Sequence, residues 1–362
     1  MKKIVILLAI TVFCFCVPSA GLAEEIKVGT LLANTGPLKE YGPAIQKGAI
    51  LAAKQMAAAG LKVKLIHEDS ETNAIPATNA ARKLVEIDKV VAIIGALSSG
   101  VTQPVAESIT CPKNIIMISP ASTSPLLTVL PADQGKDFLF RTCPSDSLQG
   151  VVSGKFAAGQ FKTVSVLYVN NAYGQGLAET FKSSFEKWGG KVPAMVPHDE
   201  KAAESYTAEL KHAKLYIKES IEFFKFKNWY FCDGTKSEEI IKAIGAANLE
   251  GLMGTAPGTV GGESLDSFNA AYKKEFGRLP PLPFITNAYD GMSVIGLAAY
   301  AAKVKGLPLT ARNIRDYLRY VANPPGKIVL AGQFSKAFDL LKKGQDINYE
   351  GAAGSVDFDV NG

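Results

Sequence analysis

The chain alternates between short β-rich runs and helical segments, and this order restricts the fold more than any other feature. β-rich runs occupy residues 26–32, 63–69, 90–96 and 115–119, and helical stretches separate them, at 43–59, at 77–87 and from about residue 100. A βαβα order implies a parallel sheet with helices on both faces. The first part of the chain therefore predicts an α/β fold.

The same alternation begins again after residue 161. Strands are predicted at 163–170, 191–197, 228–233 and 251–257, and helices at 178–189, 237–247, 265–276, 288–304 and 310–322. A chain of this length exceeds what one hydrophobic core usually serves. We therefore expect two α/β lobes: lobe 1 from 24–143 and 257–350, and lobe 2 from 144–256 and 351–362. The chain would cross between them near Cys143 and Ala256.

The N-terminus has the pattern of a secretory signal peptide. Lys2 and Lys3 precede an apolar stretch at residues 4–17, and the small-residue sequence Gly21-Leu22-Ala23 follows it. The apolar stretch is short for a membrane span. We expect export, cleavage after Ala23 and a soluble mature chain that begins at Glu24.

Charge and cysteine content exclude several classes of function. Without Lys2 and Lys3 the chain has 37 basic and 34 acidic residues, so its formal net charge falls from +5 to +3. A charge this close to neutral does not favour binding to nucleic acid. Cys111, Cys143 and Cys232 cannot all pair within the chain, and their pairing state stays open. The sequence contains no CxxC motif and no Cys/His cluster, so neither a metal nor a cofactor is predicted.

Small polar residues follow two neighbouring predicted strands, as GALSSGVTQP at 95–104 and SPASTSP at 119–125. In open parallel sheets, ligands bind beyond the carboxyl ends of the strands, where loops lead into helix N-termini. The free backbone N–H groups there can hold a carboxylate, and Ser99 and Thr123 add hydroxyl groups. Serine and threonine at such places are also ordinary caps and turn residues, so both interpretations stay open.

Enzyme signatures are absent. Gly95-x4-Gly100 is followed by Val101-Thr102, where a phosphate loop needs Lys and then Ser or Thr, and no GxSxG motif occurs. We predict no catalytic residues.

Seven motifs follow one another along the mature chain. These are TGPLKEYGPAIQKGAILAAKQ (35–55), GALSSGVTQPVA (95–106), ISPASTSPLLT (118–128), FRTCPSD (140–146), YVNNAYGQGLAETFK (168–182), CDGTKS (232–237) and NAYDG (287–291). In this order they resemble the leucine/isoleucine/valine-binding family of type I periplasmic binding proteins, and the resemblance covers nearly all of the mature chain.

The resemblance implies two Rossmann-like lobes joined by three crossovers, with a free amino acid bound between them. Ser99 would hold the ligand's α-carboxylate, and the Ala121 carbonyl and Thr123 hydroxyl would accept from its α-ammonium. Tyr41 and Tyr173 would cover the ligand from the two sides. Asp233 would pair with the ammonium, although Asp before Gly is also typical of a turn, and Tyr173 could equally be a surface aromatic.

By the same resemblance, the protein would be a monomer that delivers a branched-chain or related amino acid to an ABC permease in the inner membrane. A sensor for a membrane receptor, or a binder of amides or aromatic acids, is the alternative. Between residues 197 and 228 the chain has room for about one helix, so lobe 2 is expected to lack one βα unit, together with its C-terminal strand. The choice of ligand is not predicted.

Overall fold

The computed structural model describes residues 25–200 and 228–362. The predicted signal peptide and most of the segment in which a βα unit is expected to be missing therefore lie outside the described residues. Among the described residues, no helix has both the length and the apolar composition needed to cross a bilayer.

The described chain alternates strands and helices, as expected of an α/β fold. The strands are β1 (Ile26–Leu32), β2 (Val63–Asp69), β3 (Ala92–Gly95), β4 (Ile116–Ser119), β5 (Leu139–Arg141), β6 (Val166–Val169), β7 (Met195–His198), β8 (Tyr230–Phe231), β9 (Met253–Gly254), β10 (Lys327–Leu330) and β11 (Ile347–Glu350). The helices are α1 (Gly42–Ala58), α2 (Ala74–Glu86), α3 (Ser99–Val105), α4 (Cys111–Lys113), α5 (Pro125–Thr128), α6 (Asp146–Ala158), α7 (Ala172–Lys187), α8 (Glu238–Ile244), α9 (Ala246–Leu249), α10 (Glu263–Phe276), α11 (Ile285–Val304), α12 (Ala311–Ala322) and α13 (Phe334–Lys342). A π-helical turn at Ala106–Thr110 joins α3 to α4.

A five-stranded parallel sheet in the order β2-β1-β3-β4-β5 forms the centre of the larger core. The inner strands β1, β3 and β4 are buried almost throughout, because helices cover both faces of the sheet. Val28 and Ile94 face one hydrophobic cluster, whereas Leu31 and Ile93 face the other. The order reverses at β1, with β2 on one side and β3 on the other. The carboxyl ends of β1 and β3 therefore flank a topological switch point, which is where such sheets bind ligands.

Helix α11 is buried along nearly its whole length and packs against α1 and α12 on one face of this sheet. Its Asp290 is fully buried and accepts hydrogen bonds from the backbone N–H groups of Ala352 and Ala353, both at 2.8 Å, and from the Tyr349 hydroxyl at 3.0 Å. Phe358 contacts Phe140 with 5.1 Å between ring centroids. The end of the chain thus packs on the same core as β5, which favours grouping 351–362 with lobe 1 rather than with lobe 2. The division into lobes stays a prediction.

The smaller part of the described chain contains two parallel strand pairs, β6-β7 and β8-β9, with α6 and α7 packed together beside them. Helix α7 begins at Ala172, six residues before the predicted start. Asn171 is the reason, because its side chain accepts a hydrogen bond from the Gly174 N–H at 3.0 Å and caps the helix. Asn73 likewise caps α2, which begins three residues earlier than predicted.

Candidate functional site

The loops after β3 and β4 are joined by hydrogen bonds between buried hydroxyl groups. Ser119 donates to the Ala96 carbonyl at 2.6 Å, and the hydroxyls of Thr102 and Ser122 lie 2.7 Å apart. The Ala96 N–H donates to the Thr102 hydroxyl at 3.1 Å. Several of the small polar residues in these loops therefore hold the loops together, and no sequence pattern distinguishes these residues from their neighbours.

Ser99 is the first residue of α3 and is buried. Its hydroxyl oxygen accepts from the Ser124 N–H at 3.2 Å, which leaves its own proton available to donate. Ala121 is half-buried in the same loop as Ser124, and its N–H donates to Ser119 at 3.3 Å.

The hydroxyl of Thr123 has a defined direction. It donates to Oδ2 of Asp146 at 2.8 Å, and both residues are fully buried. Because its single proton is used in this bond, the Thr123 oxygen can only accept from a further group. This is the role that the resemblance implies for it.

Asp233 lies in a short 3₁₀ turn and is buried as well. Its Oδ1 accepts from the Tyr173 hydroxyl and from Nε2 of Gln149, both at 2.9 Å. Asp233 is therefore a turn residue, and its role as a binding residue stays a prediction. Burial raises the pKa of Asp233, and the two hydrogen bonds oppose that rise.

Tyr41 contacts the same turn from the larger part of the chain. Its hydroxyl donates to the Gly234 carbonyl at 3.4 Å, and burial raises its pKa to about 12. Tyr173 also lies close to this turn. A Cβ added to Gly234 would be 3.1 Å from the Tyr173 hydroxyl oxygen. The structure thus places Tyr41, Tyr173 and Asp233 together, and it buries Ser99 and Thr123 at the adjoining strand ends.

Direct contacts join the two parts of the chain around these residues. Ser124 donates to the Ala172 carbonyl at 2.8 Å, and Ser98 donates to Glu200 at 3.3 Å. Glu200 also accepts from the side chain of Asn171 at 2.8 Å. The cleft between the strand ends and the starts of α6 and α7 is closed in this conformation.

Three polar residues at this site were not identified from the sequence: Asp146, Gln149 and Thr255. Gln149 donates to Asp233 and, at 3.1 Å, to the carbonyl of Thr255, the residue that follows β9, so it links the turn to the end of that strand. Burial and the neighbouring Asp233 raise the pKa of Asp146 to about 7, while the Thr123 hydrogen bond and Arg141 act in the opposite direction. The available signal in the sequence was an acid and an amide three residues apart at the start of α6, Asp146 and Gln149. This pattern is also typical of a helix start that faces solvent.

Comparisons with known proteins identify the family to which the chain belongs. A family model described as periplasmic binding protein matches residues 25–216. The chain belongs to this family, as a type I periplasmic binding protein of the leucine/isoleucine/valine-binding group, and it is a solute-binding protein rather than a member of an enzyme family.

Curated relatives and solved structures extend over most of the chain. The substrate-binding protein BasB of a chemotactic signal transduction system in Halobacterium salinarum is 26% identical over 92% of this chain and 83% of its own length. The Leu/Ile/Val-binding protein of Escherichia coli is 28% identical over 72% of this chain and 71% of its own. The leucine-binding protein LivK of Thermotoga maritima has the same fold, with a TM-score of 0.73 at 24% identity, covering 93% of this chain and 92% of its own.

Proposed function

We propose that the protein captures a free amino acid, branched-chain or related, between two lobes and delivers it to an ABC permease in the inner membrane. It would act in the periplasm as a monomer, after removal of the signal peptide at Ala23. The observation that carries this proposal is the buried polar cluster of Asp233, Tyr173 and Thr123, which offers acceptors and a carboxylate to an ammonium group.

A zwitterion needs both of its charges satisfied when water is excluded. For the ligand's carboxylate, Ser99 has a hydroxyl proton to donate, at the N-terminus of a helical segment that continues to Lys113. For the ammonium, Thr123 can only accept, and Asp233 supplies a negative charge. The Ala121 carbonyl would complete this set, and Tyr41 and Tyr173 would enclose the ligand.

A ligand-sensing role is the second candidate, and one observation favours it. BasB is named as part of a chemotactic signal transduction system, and the match covers 92% of this chain and 83% of BasB. Uptake of a labelled amino acid in cells lacking the gene would separate the two roles, because a transport protein is needed for uptake and a sensor is not. An aromatic acid is less suited to the cleft, because it has no ammonium to pair with Asp233.

Thermal unfolding of the chain from residue 24 to 362, with each common amino acid at millimolar concentration, tests the proposal. A ligand that binds only the folded state, at 100 times its dissociation constant, adds about 2.7 kcal/mol to the free energy of unfolding. We expect a clear rise in Tm for a few related amino acids, with primary amides and benzoate as comparison ligands. A cooperative transition that no amino acid moves would contradict the proposed ligand class.

A further inference from the structure

We propose that Glu40 is a positioning residue of the cleft. Together with Tyr41 and Arg278 it forms a clamp, which holds residues 234–238 against the larger part of the chain and slows the release of the ligand. This inference rests on the proposed function, because it concerns closure of the same cleft around the same ligand. It adds two residues, Glu40 and Arg278, that act on the ligand only through other residues.

Two adjacent residues at the start of α1 contact the two ends of the clamped segment. The Tyr41 hydroxyl donates to the Gly234 carbonyl at 3.4 Å, and Oε1 of Glu40 accepts from the Glu238 N–H at 3.1 Å. Glu238 is the first residue of α8, and the side chain of the N-cap residue Ser237 makes no capping hydrogen bond. Glu40 therefore supplies, from the other part of the chain, an acceptor that this helix start lacks locally.

Arg278 contacts the same helix start from the loop between α10 and α11. Its guanidinium pairs with the Glu238 carboxylate at 2.5 Å. The two side chains are 71% and 41% exposed, so solvent screens this ion pair. Glu40 is half-buried, and its bond to a backbone N–H should therefore contribute more to the clamp than the ion pair does.

The clamped segment is connected to Asp233 by successive turn bonds. The Thr235 N–H donates to the Cys232 carbonyl at 3.1 Å, and the Lys236 N–H donates to the Asp233 carbonyl at 2.9 Å. The Ser237 N–H then donates to the Thr235 carbonyl at 2.9 Å. These bonds leave little freedom between Asp233 and α8, so holding the helix start also holds the Asp233 carboxylate in the cleft.

The clamp should act on the release of the ligand and not on its entry. An enclosed ligand leaves only after the two parts of the chain separate, and this separation must break the contacts of Glu40 and Arg278. A ligand enters while the parts are still apart, before these contacts form. The dissociation rate should therefore depend on the clamp, whereas the association rate should not.

Stopped-flow measurements with L-leucine, L-isoleucine and L-valine test the clamp. Glu40→Ala should increase the dissociation rate about five- to tenfold, because it removes a hydrogen bond between a charged group and a backbone N–H. The association rate should stay within about twofold of wild type. The affinity should fall by the same factor for all three amino acids, because Glu40 does not contact the ligand. An unchanged dissociation rate, or a loss confined to one amino acid, would overturn the proposal.

Two further variants distinguish the hydrogen bond from other effects of the substitution. Glu239→Ala removes the next carboxylate on α8, which pairs with Lys242 of the same helix at 2.6 Å, and it should dissociate as wild type does. Glu40→Gln keeps an acceptor at the same place, so its rate should lie between those of wild type and Glu40→Ala. A Glu239→Ala or Glu40→Gln protein as fast as Glu40→Ala would overturn the role of this bond.

Arg278→Gln tests the ion pair. Its dissociation rate should increase only about twofold, because exposed pairs contribute little, and the increase should disappear at high salt. Lys54→Gln is the control, since it breaks an exposed ion pair with Glu275 that lies wholly within the larger part of the chain. An equal increase in Lys54→Gln would overturn the part of the clamp assigned to Arg278.

Hydrogen exchange of the ligand-free chain tests the clamp even if none of the three amino acids binds, in which case the proposed function fails for this ligand class. The protection of the Glu238 amide should fall in Glu40→Ala but not in Glu239→Ala, because only the first variant removes its acceptor. Lower protection without any amino-acid binding would support the clamp and contradict the proposed ligand class. Equal protection in wild type and both variants would overturn the clamp.

Discussion

The Tyr173 hydroxyl donates to Oδ1 of Asp233 at 2.9 Å, and it lies 3.3 Å from the Cys232 sulfur. This bond fixes the carboxylate that we propose as the partner of the ligand's ammonium. It also joins the start of α7 to the turn after β8, which are about 60 residues apart in the chain.

Tyr173→Phe should weaken amino-acid binding about tenfold, because a hydrogen bond to a charged group contributes about 1.5–3 kcal/mol. Without this donor the pKa of Asp233 should rise further, so the loss should be larger at pH 6 than at pH 8. Titration calorimetry at both pH values would measure it. Tyr230→Phe is the control, since the Tyr230 hydroxyl is buried without a partner in the described chain; an equal loss there would argue against a specific role for Tyr173.

Asp233→Asn should lower affinity by a factor of 30 or more. Removing one member of a buried charge pair typically costs about 2–5 kcal/mol, and the amide keeps the shape of the carboxylate while losing its charge. Fluorescence or calorimetric titration with the best ligand of the unfolding screen would give the value. Asp266→Asn, at an exposed position in the first turn of α10, should bind as wild type does. Unchanged affinity in Asp233→Asn would remove Asp233 from the site.

Thr123→Val should weaken binding at least tenfold, whereas Thr123→Ser should stay within a few-fold of wild type. Valine matches the shape of threonine but offers the ligand no acceptor and leaves Oδ2 of Asp146 without its donor, a cost of about 1–3 kcal/mol. Dissociation constants for both variants, together with their Tm values, would distinguish lost binding from lost stability. Similar affinities for the two variants would mean that the hydroxyl does not contact the ligand.

Gly100→Ala should hold the two parts of the chain apart and weaken binding. A Cβ at Gly100 would lie 2.9 Å from the Asn171 side chain, across the closed cleft. Closure brings both sides of the cleft onto the ligand. We therefore expect the ligand to dissociate faster from this variant, whereas its Tm should change little. Stopped-flow measurement of dissociation would detect this. Gly258→Ala is the control, because its Cβ would meet nothing within 4 Å, and equal rates for the two variants would contradict the prediction.

The sequence predicts the inner strands of the larger sheet well, because they are buried on both faces and are therefore largely apolar. The carboxyl end of β3 leads to Ser99, which makes this serine a site candidate from the sequence alone. Asp233 needed the resemblance to the family, since an acid before glycine is equally typical of a turn.

Asp146 could not be predicted in the same way. An acid at the start of a helix usually faces solvent, where the helix dipole favours it. Whether it faces inward depends on interactions with residues such as Thr123 and Asp233, which are distant in sequence. Helix starts such as Ala172 were also missed, because the cap formed by Asn171 has the same composition as a loop.

The hydroxyl bonds between the loops after β3 and β4 affect how these loops should move. Because the Ala96 N–H is bonded to Thr102, and Thr102 to Ser122, opening either loop requires breaking a chain of buried bonds. The Ala96 amide and the other backbone amides of these two loops should therefore exchange with deuterium as slowly as those of the central strands. The strand-end loops would then act as a rigid template for the ligand, and selectivity would come from their fixed shape rather than from adaptation to each ligand.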